Sequence, residues 1–108
     1  MLQQIKESDW KILRELHKVA LERFCQQVLV ELERTYSDHA ESFHQKYLDI
    51  YQLIKRRDSE IAEIFNDLRR STAFIHLSAM KARGLLTEDE FLRLSEETRD
   101  IVALILGD

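Results

Sequence analysis

The stretch YSDHAESFHQKYLDIYQLIK, Tyr36 to Lys55, carries the pattern that decides the fold. Apolar residues recur in it at 36, 40, 43, 47, 50 and 54, in alternating steps of four and three. That is the heptad seam of a helix lying along another helix, and it is incompatible with the two-residue period of a half-buried strand. The frame continues at 61, 64, 68, 75 and 82. No glycine or proline interrupts the chain between Glu7 and Arg83, and the only glycines are Gly84 and Gly107.

Working outward, a first helix is expected near 8–35, starting at Ser8 or Asp9, both good N-caps. Leu13, Leu16, Ala20, Phe24, Val28 and Leu32 form its main stripe. Ile12, Val19, Cys25 and Leu29 widen it, which points to more than one packing neighbour. A break is expected at Thr35–Asp38, with Asp38 and Glu41 as a capping box opening a second helix near 38–57. Lys55-Arg56-Arg57 running into Asp58-Ser59-Glu60 reads as a cationic helix end followed by an anionic helix start, as the helix dipole favours. A third helix would then cover 59–83. Because Ile54 and Ile61 stay in phase, the middle two also read as one long kinked helix. Gly84 suits a left-handed C-cap. Thr87 with Glu90 forms a capping box, and Leu86 with Phe91 a hydrophobic staple, for a last helix near 87–106 closed by Gly107. The expectation is an all-α, antiparallel bundle of three or four helices forming a single domain over residues 1–108.

Charge narrows the classes of partner. The chain of 108 residues carries a formal net charge of −4. Residues 55–83 hold seven basic and four acidic side chains, whereas 87–108 hold two basic and seven acidic. The acidic last helix is expected to pack beside the basic middle segment. An acidic chain argues against a protein that lives on phosphate contacts, so nucleic acid is not the expected partner. The single cysteine, Cys25, excludes an internal disulfide and fits a reducing, cytoplasmic setting. Met1–Lys6 has no apolar core of a signal peptide, and the longest apolar run, Ile101–Leu106, is far shorter than the roughly 20 residues of a membrane span.

Chemistry is sparse. There is no Gly-x-Ser-x-Gly elbow and no glycine-rich phosphate loop. Glu41 and His44 form one Glu-x-x-His step, whereas a carboxylate-bridged di-iron site needs two, with two further glutamates. His17, His39, His44 and His76 lack the His-x-x-x-His spacing of metal ligands on a helix face. No cofactor and no metal is expected.

Arg70-Ser-Thr-Ala-Phe-Ile-His76 resembles the Arg-x(4–6)-His signature of HEPN domains, small helical bundles that often act as metal-independent ribonucleases. The resemblance implies that Arg70 would stabilise a phosphate and His76 would move a proton near a dimer interface. Ala82 to Phe91 looks like the helix–turn–helix of the short SHOCT domain, with a similar glycine, threonine and phenylalanine; the likeness lies in capping residues and implies no activity.

The aromatic stretch Tyr36, Phe43, Tyr47 and Tyr51, with Ile50 and Ile54 on the seam, marks a candidate interface, since tyrosine is favoured at protein contacts. The expectation is therefore a non-enzymatic protein-interaction module (an adaptor, chaperone or regulatory subunit). It would pair with itself as a homodimer, with a further protein partner in view. The alternative is a HEPN-like RNA-cleaving protein using Arg70 and His76.

Overall fold

Thirty consecutive residues without a helix breaker form the first helix, α1 (Glu7–Tyr36), about 45 Å long at 1.5 Å per residue. The computed structural model describes residues 4–107. Met1–Gln3, part of the stretch read as lacking a signal peptide, lie outside the described residues. The remaining helices are α2 (Phe43–Phe65), α3 (Ala73–Ala82), α4 (Glu88–Leu92) and α5 (Glu96–Leu106), with a 3-10 turn at Arg70–Thr72. Among the described residues there is no strand, and no helix is long and apolar enough to cross a membrane. The all-helical class is as expected.

Several boundaries differ from the sequence reading. The helix α1 begins at Glu7, after an extended Lys6 that lends no side-chain cap. Asp9, read as a cap, is instead buried and spent elsewhere. The helix α2 starts at Phe43 rather than at 38, because Ser42 takes the cap and accepts a hydrogen bond from the Gln45 amide. Asp38 closes a local turn by accepting from the Ala40 amide at 2.9 Å, which leaves Ala40 outside the helix. No break occurs at 57–59. The helix runs through it because Arg57 reaches Glu60 one turn on and Glu31 on α1, so the charge reversal stitches helices rather than ending one.

The break falls instead at Asn66–Arg69, where Asp67 adopts a left-handed φ of 60°. Aspartate and asparagine tolerate that region better than most residues. The last segment is two helices, not one. Thr87 and Glu90 form the expected capping box for α4, but Ser95 then caps a separate α5 by accepting from the Thr98 amide. Gly84, at φ 69°, closes α3 as expected. The Leu85 amide bonds back to the Met80 carbonyl at 3.0 Å there.

The core sits at one end of the molecule. Leu13, Leu16, Ala20 and Phe24 of α1 pack with Ile64 and Phe65 of α2, Ala73, Leu77 and Met80 of α3, and Phe91, Leu94 and Val102 beyond. Each fully buried large side chain there contributes roughly 1.5–3 kcal/mol of transfer free energy. Polar groups close this base. Asp9 accepts from the Ser95 amide, the Ser95 hydroxyl and the Thr98 hydroxyl, joining the first turn of α1 to the first turn of α5. The Arg23 guanidinium clamps both Glu90 carboxylate oxygens and the Leu85 carbonyl, fixing α4 on α1. His17 of α1 bonds the Phe65 carbonyl at 2.9 Å, and His76 of α3 bonds the Ile64 carbonyl at 2.7 Å. Both acceptors are end carbonyls that α2 leaves without helical partners.

The helices α1 and α2 extend past this base. Their contacts run in opposite order along the two helices: His17 with Phe65, Glu31 with Arg57, Tyr36 with Lys46. Between Leu29 and Glu63 the only fully buried residue is Leu53. The outer half of the pair is therefore an arm on a molecule measuring 55 × 25 × 25 Å.

Candidate interaction surface

Helical geometry gives the arm two unlike faces. Each residue turns about 100° along a helix, so residues that share a side of α2 recur in steps of three and four. Leu53, Arg57 and Glu60 look toward α1. Phe43, Tyr47, Ile54 and Ile61 lie about a quarter-turn round from that line. On α1, Val28, Glu31 and Thr35 look toward α2, while Cys25, Leu29 and Tyr36 lie a similar quarter-turn away. The two rows meet on one side of the pair, where Cys25, Leu29, Ile54 and Ile61 line a common apolar cleft of about 220 Å³.

The other side is polar. There Gln27, Glu31 and Glu60 line a cleft with Arg83 from the end of α3, so this is the side the α3 layer covers at the base. Toward the tip it continues as Arg34, Asp38, Asp49, Gln52 and Arg56. Glu60 bonds both Arg57 and Arg83. Arg83 foremost, then Arg57, lowers the Glu60 pKa against the opposing effect of burial. Glu31 and Glu60 in turn raise the Arg57 pKa. The apolar face has no such network. Its charged fringe includes Arg57 and Asp58 at the cleft, Glu22 and Glu33 on α1, and Lys46, whose ammonium stands 5.4 Å from the Tyr36 ring centre and 5.5 Å from that of Phe43.

Of the six residues expected at an interface, Tyr36, Phe43, Tyr47, Tyr51 and Ile54 are exposed, from 43% for Ile54 to 82% for Phe43. Ile50 is half-buried, turned toward α1. Cys25, Leu29 and Ile61 join the same face without having been singled out for it. Their signal was present in the breadth of the α1 stripe and in the phase of Ile61.

Arg70 and His76, the residues read for chemistry, are each bonded to a main-chain carbonyl. Arg70, in the 3-10 turn, donates to the Ile5 carbonyl at 3.0 Å and to Glu7 at 2.9 Å, tying that turn to the start of α1. His76 is buried on α3 against the Ile64 carbonyl. Glu41 precedes the cap of α2 and His44 follows it, so the two do not share a helix face, and both are exposed. His39 is exposed in the loop. Among the described residues no group of three or more His, Cys, Asp or Glu is arranged to hold a metal.

Two carboxylates with depressed pKa values belong to the base. Burial pushes Asp9 upward, but its hydrogen bonds from Ser95 and Thr98 together outweigh this and leave it below the ordinary aspartate value. Hydrogen bonding from Arg23 brings Glu90 down to about 2. Both are accounted for by structural partners rather than by an open cleft. No known family, curated protein or solved structure matches the chain.

Proposed function

We propose that this chain is a non-enzymatic helical protein-interaction module of the cytoplasm (an adaptor, chaperone or regulatory subunit) that engages protein through the apolar face of its arm. One observation carries the reading: four aromatic residues, Tyr36, Phe43, Tyr47 and Tyr51, stand exposed on a helical pair with Leu29 and Ile54 among them. Scattered exposed apolar residues are ordinary, whereas a contiguous set of this size marks a contact surface. Aromatic side chains supply most of the energy at such surfaces. The contrast with the charged opposite side supports a directional contact. For an RNA-cleaving function, Arg70 and His76 supply no further support, since each is engaged by the backbone of its neighbours.

The test is photo-crosslinking in the native cells. With benzoylphenylalanine replacing Tyr47, protein adducts are expected; with the same group replacing Gln52 on the polar side, they are not. Absence of protein adducts at 47, or equal adducts at both positions, overturns the reading.

A further inference from the structure

The arm is a single layer of two helices. Stable helical architecture needs at least two packed layers, because a helix pair alone covers only one side of each stripe. At the base, α3 to α5 supply the second layer, and they supply it on the polar side of the arm's axis, the side of Arg83 and Glu60. The apolar side has no layer over it along its whole length. Leu32 and Ile50 show the consequence: both stand beside the α1–α2 contact line, and both stay half-buried.

We infer that the missing layer is the arm of a second copy of this chain, packed face to face so that two arms form an intermolecular four-helix bundle. The inference rests on the interaction reading above and names its partner. Two arguments select a copy of the chain. The first is area. Tyr36, Phe43 and Tyr47, of about 150–250 Å² each and more than half exposed, together with Leu29 and Ile54 offer on the order of 600 Å², close to the roughly 800 Å² each partner of a stable complex buries. The second is periodicity. The rows on α1 (Cys25, Leu29, Leu32, Tyr36) and on α2 (Phe43, Tyr47, Ile50, Ile54, Ile61) share the same four-three stepping and run the length of the arm. A copy therefore matches the face in length and in spacing, as a two-fold contact requires. The base does not obstruct the approach, since its added helices lie on the other side. Charges of both signs border the face, Asp58 and Arg57 at the cleft and Lys46 over Tyr36 and Phe43, so a two-fold copy can set one sign against the other.

Light scattering on the full chain over a concentration series tests this. The expected mass rises from 12.9 kDa toward twice that value with concentration. Phe43→Glu and Tyr47→Glu, both at exposed positions, are each expected to weaken association by about ten-fold or more, whereas Gln52→Glu on the polar side leaves it unchanged. Circular dichroism confirms that each variant keeps its helix content. A wild-type chain that stays monomeric to millimolar concentration overturns the inference. So does a dimer indifferent to both face variants. If the chain is monomeric yet position 47 still crosslinks to another protein, the second-copy inference falls and the interaction reading stands. A monomer without adducts removes both.

Discussion

The base and the arm are built from the same two helices, yet they are held by different physics. In the base, side chains from every helix close over α1, and the buried polar groups are all paired. In the arm, α1 and α2 have only each other, joined by the buried Leu53, the half-buried Leu32 and Ile50, and one ion pair, Arg57 to Glu31 at 2.9 Å. Surface ion pairs of that kind are worth about 0–1 kcal/mol. One end of the molecule is thus stabilised by burial, and the other keeps its apolar residues outside. The difference teaches that amphipathic pattern reports a buried face without saying whether the same chain does the burying.

The sharpest way to break this comparison is in the base. Leu77→Ala removes a fully buried side chain from α3 and is expected to cost about 2–5 kcal/mol in chemical denaturation. A loss under 1 kcal/mol would mean that the base is no better packed than the arm. Next comes Asp9. Asp9→Ala leaves the Ser95 and Thr98 hydroxyls without their acceptor, an expected loss of about 1–3 kcal/mol at neutral pH. The sign of the pH dependence follows from the shift. Asp9 is held below its unfolded value, so its contribution is present above about pH 4 and fades as pH falls toward the lower folded value. Glu90, at about 2, behaves likewise. The difference between wild type and Asp9→Ala should therefore shrink on acidification, and a constant difference would contradict the assignment. The smallest effect belongs to the arm. Tyr47→Ala, measured at a dilution where the chain is monomeric, is expected to change stability by no more than about 0.5 kcal/mol.

Much of the fold was legible because capping chemistry is local. Thr87 with Glu90 and the left-handed Gly84 each depend on residues within one turn, so the residues alone identify them. The middle of the chain misled for a corresponding reason. Lys55 to Glu60 has the charge order of a helix end followed by a helix start, but Arg57 answers to Glu31, 26 residues away. Nothing near Arg57 announces that partner. The true break carried a weak sign, the Asn66-Asp67 pair, which favours left-handed backbone without demanding it. Ser95 does not announce itself as a cap, because Leu94 and Ile101 stay one heptad apart across it, and the group that stabilises its turn, Asp9, lies 86 residues upstream. The surface was legible in Tyr36, Phe43, Tyr47, Tyr51 and Ile54, since aromatic density is visible in sequence. Leu29 and Cys25 were not tied to it, because which side of α1 stays open depends on where α3 lands.

The link from Asp9 to Ser95 and Thr98 also sets an order of events during synthesis. The arm needs only residues about 26 apart to meet, whereas the lock at the start of α1 waits for a partner 89 residues later. Shorter loops close at lower entropic cost, and a ribosome delivers the N-terminal partners first. A nascent chain can therefore present its apolar hairpin while α1 still lacks α5 beneath it.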